Sequence, residues 1–338
     1  MGRRVGSILV ILVAFLLVLM PSPWQGKAIG TSPPLQVIGF WASDATKGLA
    51  GLYENPRSIT WFTPYWYSVN ANGHLINRVD KASLSKVRAA HIPITPLVND
   101  ETGRQLFLLS RSTRINAARN IADMVKQEHF QGVSIDFEPA QNPLARDLTA
   151  FTRDLRDYLP SGSIITMSVV PQSGGAYQFP ELIPEVNQFI LMAYDQHDDG
   201  SFAGPVAATP WVQRLINRTI HYLPPQKIDL GVAVYGYTWP KGTTVGTTVP
   251  YNAVTKAMGD HAKWDAIDQE TYAKFTSHGV PTVAWWESLQ GMNQKIHLAK
   301  ENHLGGIALW HMGYANNAVY QLLLYQVGTQ PAPPKTVS

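Results

Sequence analysis

Between residues 133 and 138 the chain alternates apolar and polar side chains one by one. A period of two is typical of a β-strand, because successive side chains point to opposite faces. Asp136 and Glu138 both belong to the polar row, so they should point the same way, with Cβ atoms roughly 6–7 Å apart. Pro139 disfavours helical dihedrals in the residue before it, so we predict that the strand ends at Glu138. For an isolated pair of this kind, an exposed acidic strand end or a helix cap is the alternative.

Seven other apolar runs have strand character, and helical stretches separate most of them. The helical spacing is clearest in residues 114–127 and 144–158. Repeated strand–helix units imply a parallel sheet, and eight of them predict a closed (β/α)8 barrel of the TIM type. An open, doubly wound sheet is the main alternative, but its usual G-x-G-x-x-G motif does not follow the first strand. The seven further predicted strands are residues 36–41, 58–67, 91–98, 164–170, 188–194, 228–235 and 306–310.

The regular alternation of strands and helices breaks after the seventh predicted strand. Residues 238–287 contain Thr-, Val- and Tyr-rich pieces, one helix-like segment (252–258) and an aromatic strand (282–286). This pattern predicts a small α+β insertion on the C-terminal rim of the barrel. We therefore expect one barrel domain over residues 34–327, followed by a flexible Pro/Thr-rich tail over residues 328–338.

The N-terminal segment has the pattern of an export signal. Arg3 and Arg4 precede an apolar run over residues 8–20, and Pro21 follows it. A positive flank with a short apolar core is typical of a signal peptide, and this run is shorter than a comfortable membrane span. We predict that residues 1–28 are a signal peptide or an uncleaved N-terminal anchor. The protein is then extracellular or associated with the cell envelope, with membrane contact only through this segment.

Composition and charge narrow the classes of function. The 338-residue chain has a formal net charge of +3 and no basic run beyond its N-terminus, so we expect no nucleic-acid partner. It has no cysteine, which excludes disulfides and a thiol nucleophile. His197, Asp198 and Asp199 lie in a Gly-rich loop without a second ligand cluster, so we expect no metal and no cofactor. We expect a monomer.

The ends of the predicted strands indicate where chemistry could occur. In a barrel of this kind, active sites gather at the C-terminal ends of the strands. Acids, tyrosines and tryptophans dominate those ends, and aromatic rings suit the apolar face of a sugar ring. The residues at these ends are Phe40, Trp41, Tyr65, Trp66, Asn99, Asp100, Asp136, Glu138, Tyr194, Asp195, Tyr235, Tyr237 and Trp310.

Three motifs, in order along the chain, resemble those of family 18 glycoside hydrolases, the chitinase-like group. Residues 130–138 resemble the fourth-strand signature of that family, whose fuller form is D-x-x-D-x-D-x-E. Residues 192–195 match its M-x-Y-D motif, and residues 305–310 look like its eighth strand, which ends in a tryptophan. Residues 63–67, 192–197 and 284–287 are similar to the branch that includes spore-germination and cortex-lytic N-acetylglucosaminidases.

The resemblance implies a secreted retaining hydrolase of β-linked N-acetylglucosamine polymers, peptidoglycan or chitin-like, whose nucleophile is the substrate's own 2-acetamido oxygen. It implies that Glu138 is the general acid and that Asp136 orients the acetamido nitrogen. Tyr194 and Asp195 would hold the acetamido group, and Trp310 would form the floor of the subsite. Tyr194 and Trp310 could instead be plain buried rings. Further candidates for substrate contact are Met192, Tyr65, Trp66, Trp41, Tyr235, Tyr237 and Glu287.

Two outer acids of the family signature are replaced here, by Gln131 and Ser134. We expect the Ser134 hydroxyl to hydrogen-bond Asp136, and Asp136 to stay ionised more firmly than with an acid in that place. A like charge nearby should raise the pKa of Glu138. The replacements also leave open a carbohydrate-binding, lectin-like wall protein without turnover. A structural exported barrel, whose aromatic residues are merely core, is a third possibility.

Overall fold

The computed structural model describes residues 34–42, 49–138, 144–171 and 175–328. The predicted signal peptide or anchor, Pro139 and nearly all of the predicted tail lie outside these residues. Within the described part of the chain, no helix combines the length and the apolarity that a membrane crossing requires.

Fourteen strands are described. In chain order they are β1 (Gln36–Trp41), β2 (Trp61–Val69), β3 (Leu75–Asn77), β4 (Leu97–Asp100), β5 (Gly132–Asp136), β6 (Ile164–Val169), β7 (Gln188–Leu191), β8 (Ile228–Ala233), β9 (Tyr235–Pro240), β10 (Thr247–Pro250), β11 (Lys263–Asp265), β12 (Glu270–Ser277), β13 (Val280–Trp286) and β14 (Gly306–Trp310). Eight of them, β1, β2, β4 to β8 and β14, run parallel, and β1 pairs with both β2 and β14. The sheet is therefore closed, which confirms the predicted barrel.

The described helices lie mostly between barrel strands and cover the outside of the barrel. They are α1 (Leu49–Glu54), α2 (Lys81–Ala89), α3 (Arg111–Gln127), α4 (Ala145–Tyr158), α5 (Phe179–Leu182), α6 (Thr209–Thr219), α7 (Tyr251–Met258), α8 (Leu289–Glu301) and α9 (Asn317–Val327). In α3 the buried positions Ala118, Ile121, Ala122 and Val125 follow the three- and four-residue spacing of one helix face. That face packs against the barrel.

The alternation in β5 corresponds to the two sides of the barrel wall. Val133 and Ile135 are fully buried in the large apolar core that includes the helices, whereas Ser134 and Asp136 alternate with them and face inward. The first residue of this strand, Gly132, must lack a side chain, because a Cβ atom there would lie 1.9 Å from the backbone oxygen of Ile164 on β6. The polar row of the sequence pattern thus leads to the mouth of the barrel.

Some predicted strand bounds differ from those observed. Residues 91–96 are not part of β4, which begins only at Leu97, because Pro93 and Pro96 cannot donate to a strand ladder. The strand predicted over residues 228–235 also ends earlier, because β8 ends at Ala233. Tyr235 pairs instead with Pro250 of β10, so Tyr235 belongs to a different sheet.

The predicted insertion after the seventh barrel strand is a five-stranded antiparallel sheet with order β10-β9-β13-β12-β11, and α7 follows β10. We call it the insertion sheet. Its first strand, β9, is separated from the end of β8 by Val234 alone, whose amide donates to the backbone oxygen of Trp310. The insertion sheet is therefore connected directly to the C-terminal mouth of the barrel.

Candidate active site

A cleft of about 510 Å³ opens at the C-terminal ends of the barrel strands. Side chains from the ends of four strands (β1, β5, β6 and β14), from the segment that follows β7 and from the first turn of α6 contribute to it. Its lining residues are Phe40, Asp136, Glu138, Ser168, Val170, Pro171, Met192, Tyr194, Asp195, Gln196, Trp211 and Trp310. Six of the twelve residues proposed from the sequence are in this lining: Asp136, Glu138, Met192, Tyr194, Asp195 and Trp310.

Asp136 and Glu138 open into the same cleft because Phe137 between them is anchored in the core. Phe137 is 1% exposed, and its ring packs edge-on against Phe107 at 5.0 Å and Phe151 at 5.4 Å between centroids. β5 ends at Asp136 rather than at Glu138. Asp136 is half-buried, whereas solvent reaches Glu138. One carboxyl is therefore enclosed at the base of the cleft and the other is presented at its mouth.

The electrostatics of Asp136 differ from the expectation. Burial, and then the negative charge of Glu138, raise the pKa of Asp136 to about 7, and a hydrogen bond with Ser168 on β6 opposes this. The comparison with an acid at position 134 stays a prediction, but with a pKa of about 7 the Asp136 carboxyl is partly protonated near neutral pH. The predicted hydrogen-bond partner is wrong, because the buried Ser134 hydroxyl has no hydrogen-bond partner among the described residues. Ser168, from the neighbouring strand, takes that position.

The pKa of Glu138 is raised, in the direction expected. Although solvent reaches its carboxyl, the cleft walls partly desolvate it, and this burial is the larger cause. The negative charge of Asp195 adds to the shift. The predicted direction is therefore confirmed, and the charged neighbour that contributes is Asp195 rather than the adjacent Asp136. A raised pKa keeps more of this carboxyl protonated near neutral pH, which a proton donor requires.

The M-x-Y-D segment follows β7 directly. Met192 and Tyr194 are half-buried and line the cleft, while Ala193 between them is 1% exposed and packs in the core. Burial raises the pKa of Tyr194 well above its usual value, with nearby Asp136, Asp195 and Glu138 adding to it. Its phenol therefore stays a proton-bearing hydrogen-bond donor at any working pH.

Asp195 is oriented by two phenols of the insertion sheet. The hydroxyls of Tyr235 and Tyr237 both donate to its Oδ1, at 2.5 and 2.8 Å. Both tyrosines are buried, at 3% and 6% exposure, and neither lines the cleft. The prediction that they contact substrate is therefore corrected: they contact the carboxylate of Asp195.

Trp310, at the end of β14, is half-buried and forms one wall of the cleft. Its ring packs against Phe40 at 5.4 Å between centroids and at an angle of 60°. One part of the indole therefore supports the barrel interior, and the remainder faces the cleft. It is not a plain core tryptophan.

Four other sequence candidates do not reach the cleft. Trp41 and Trp66 are 1% and 0% exposed and pack edge-on against each other at 6.3 Å. Strand alternation explains this, since their neighbours Phe40 and Tyr65 take the inward positions and the two tryptophans point outward. Tyr65 packs inside the barrel, where its hydroxyl accepts a bond from Asn99 at 2.6 Å. Glu287 is fully buried beside Lys295.

Ser168 and Trp211 are cleft residues that the sequence argument missed. Ser168 had a detectable signal, because it and Thr166 are the two polar residues of β6 and both lie on its inward row. Trp211 had none, since a tryptophan in the first turn of an amphipathic helix is equally consistent with the core. The polar loop at His197 is held by its own hydrogen bonds, and the described residues contain no group of three or more metal-binding side chains.

The hydrogen bond from Ser168 gives a testable effect on Asp136. Because this bond stabilises the carboxylate, Ser168→Ala should raise the pKa of Asp136 above about 7. The acid limb of the pH–activity profile should then move to higher pH if Asp136 acts as a carboxylate. NMR titration of the carboxyl carbons would measure the shift. Ser134→Ala is the matched control, since its hydroxyl contacts no described partner. Equal titration curves for both variants would contradict this account.

Comparison with known proteins places the chain in a family. The model of the glycosyl hydrolases family 18 matches residues 82–315, more than half of the chain. The chain belongs to family 18 of the glycosyl hydrolases. It is therefore a glycoside hydrolase by descent, and the three motifs that suggested the family all contribute residues to the same cleft.

Curated relatives resemble this chain over most of its length. A Bacillus subtilis (strain 168) protein, YdhD, whose name describes it as a sporulation-specific glycosylase, is 30% identical over 269 residues. The match covers 73% of this chain but only 64% of YdhD, so the chain spans less than two thirds of that relative. The cortical fragment-lytic enzyme of Bacillus anthracis is 22% identical over 325 residues, covering 87% of this chain and 75% of the relative.

Solved structures share the fold of this chain. The crystal structure of the Bacillus cereus spore cortex-lytic enzyme SleL matches with a TM-score of 0.81, at 18% identity, over 90% of this chain and 77% of that one. At this identity the likeness concerns the fold alone. The Bacillus subtilis YdhD structure is 28% identical, with a TM-score of 0.66, over 73% of this chain and 89% of that one.

Proposed function

We propose that this protein is an exported glycosidase that hydrolyses the β-linked N-acetylglucosamine bonds of peptidoglycan, or of a chitin-like chain, with retention of configuration. The observation that carries the proposal is the convergence of Glu138, Asp136, Tyr194 and Asp195 with Trp310 in one cleft. The names of the cortex-lytic relatives favour peptidoglycan as the polymer. Export rests on the N-terminal pattern of residues 1–28.

The first step breaks the glycosidic bond. Glu138 gives its proton to the glycosidic oxygen, and the bond from C1 to that oxygen breaks as the leaving sugar departs. The carbonyl oxygen of the substrate's own 2-acetamido group forms a bond to C1, giving a cyclic oxazolinium intermediate. Asp136 accepts a hydrogen bond from the acetamido N–H and stabilises the positive charge that develops on it. Glu138 is left as a carboxylate.

The second step restores the enzyme. The Glu138 carboxylate takes a proton from a water molecule, which attacks C1 from the side that the leaving group vacated. The bond between C1 and the acetamido oxygen breaks, and its electrons return to the acetamido group. The product therefore keeps the β-configuration, and one water molecule is consumed per bond. Tyr194 donates a hydrogen bond to the acetamido oxygen, and Trp310 stacks under the sugar ring.

Product analysis tests this mechanism. Digestion of peptidoglycan should release new reducing ends of N-acetylglucosamine, and NMR recorded in the first minutes should show the β-anomer. A thiazoline analogue of the oxazolinium should inhibit competitively, because it resembles the cyclic intermediate. A matched substrate with a free amine at C2 lacks the internal nucleophile and should not be cleaved. An initial α-anomer, or equal cleavage of the de-N-acetylated substrate, would contradict substrate assistance.

A further inference from the structure

The carboxylate of Asp195 is held from one side by the insertion sheet. Tyr235 and Tyr237 lie two residues apart on β9, so both project from the same face. Their hydroxyls converge on one oxygen, Oδ1, at 2.5 and 2.8 Å. Among the described residues no donor is recorded for the second oxygen, Oδ2. Two donors on one oxygen determine where the other oxygen points.

The two phenols are held rigidly. Their rings pack edge-on at 5.6 Å, and Tyr237 also packs against Trp239 at 5.6 Å. β9 is an inner strand, bonded to β10 on one side and β13 on the other. Gly236, between the tyrosines, allows this close pairing, because a Cβ atom there would lie 2.2 Å from the backbone oxygen of Trp285. The donors therefore keep their positions whether or not a sugar is bound.

We propose that Tyr235 and Tyr237 are positioning residues that fix Oδ1 of Asp195 and so direct Oδ2 toward the sugar. The inference rests on the proposed function for its catalytic consequence. It also gives the insertion sheet a role beyond forming a cleft wall, because the sheet contributes the two donors that orient an acid from the barrel.

The charge of Asp195 depends on several opposed neighbours. Burial raises its pKa, and Asp198 and Asp199 in the same loop add to this, whereas the hydrogen bonds from Tyr235 and Tyr237 lower it. Removing both hydroxyls should therefore raise the pKa of Asp195 further, so that it loses its negative charge at a higher pH than in the wild type.

The loss of charge on Asp195 should also change the pKa of Glu138. Besides burial, the negative charge of Asp195 raises the pKa of Glu138. The other titratable groups facing Glu138 among the described residues are Asp136, Tyr177 and Tyr194. When Asp195 is neutral, the pKa of Glu138 falls, and the acid loses its proton at a lower pH. The alkaline limb of the pH–activity profile should therefore move to lower pH, which a purely structural role for the tyrosines would not produce.

The test compares Tyr235→Phe, Tyr237→Phe and the double variant with the wild type. Phenylalanine keeps each ring and removes only the hydroxyl. Each single variant should lose about ten- to hundredfold in kcat, the usual cost of one bond to a charged group. The double variant should lose more, with its alkaline limb shifted to lower pH. Tyr272→Phe, in the same sheet and outside the cleft lining, is the matched control and should behave as the wild type. NMR titration of the carboxyl carbons reports the pKa of Asp195 without any turnover.

The outcomes separate the two proposals. If the double variant is folded and neither its pH profile nor the titration of Asp195 changes, the positioning role is wrong. The pKa of Asp195 could be raised in the double variant while neither the wild type nor any variant cleaves an N-acetylglucosamine polymer. That result would support the positioning role and overturn the proposed function. A loss of activity that Tyr272→Phe shares would attribute the effect to the insertion sheet as a whole, and would overturn the specific role of the two hydroxyls.

Discussion

Glu138→Gln is expected to lower kcat on N-acetylglucosamine oligomers by about 10²–10⁴-fold, the usual contribution of a general acid. The amide has almost the shape of the carboxyl but cannot deliver a proton to the glycosidic oxygen. Oligomer affinity should change little, because Asp136, Tyr194 and Trp310 still line the cleft. Steady-state kinetics with chromogenic oligomers and calorimetric binding would measure the two effects separately.

The same variant should change the titration of its neighbour. The charge of Glu138 contributes to the raised pKa of Asp136, so its removal should lower that pKa from about 7. Glu301→Gln, at an exposed site in α8, is the control and should leave turnover unchanged. Equal turnover in wild type and Glu138→Gln would refute the assigned acid. If neither protein turns over substrate but both bind oligomers tightly, the protein is a lectin-like carbohydrate binder.

Lys295→Met is expected to destabilise the protein by about 3–5 kcal/mol, the usual cost of leaving a buried charge without its partner. Lys295 is 1% exposed, and its Nζ lies 2.9 Å from Oε2 of Glu287, which is fully buried. Glu270, also fully buried, accepts bonds from the amides of Val206 and Ala207. The positive charge of Lys295 stabilises the carboxylates of both Glu287 and Glu270. Urea unfolding followed by circular dichroism would measure the loss of free energy.

The loss should depend on pH. Burial, and then the charge of Glu287, raise the pKa of Glu270 to about 8, while Lys295 lowers it. Between its unfolded value near 4.5 and about 8, the native state holds more protons than the unfolded state, so the stability falls as the pH rises. Without Lys295 the native pKa values of both carboxyls rise, and this window extends to higher pH. Lys295→Met should therefore be most destabilising at alkaline pH.

Two further variants make this interpretation specific. Lys256→Met removes an exposed lysine from α7 and should change the free energy of unfolding by less than about 0.5 kcal/mol. Adding Glu287→Gln to Lys295→Met removes one unpaired charge and should restore part of the lost stability. If the double variant is no more stable than Lys295→Met alone, an unpaired carboxylate is not the cause.

The barrel and its acidic strand could be predicted from local patterns, because strand alternation is a property of adjacent residues. Asp136 and Glu138 are two residues apart, so they point to the same side of the chain, and both line the cleft. The meeting of Met192, Tyr194 and Trp310 in one site could also be predicted, because parallel strands in a barrel bring their C-terminal ends together. The prediction that Trp41 and Trp66 contact substrate was wrong because each tryptophan follows another aromatic residue. At Phe40-Trp41 and Tyr65-Trp66 the chain does not say which ring faces the barrel interior.

By itself the sequence determined the family, the barrel, the insertion and the acids that meet at its mouth, because periodicity and short motifs follow from consecutive residues. Only the tertiary structure decided which neighbour controls each acid. Ser168 rather than Ser134 bonds Asp136, Asp195 rather than Asp136 is the charge that adds to the raised pKa of Glu138, and Tyr235 and Tyr237 bond Asp195 from another sheet. Hydrogen bonds and charge interactions depend on distances across strands, and residues that are remote in the chain set those distances.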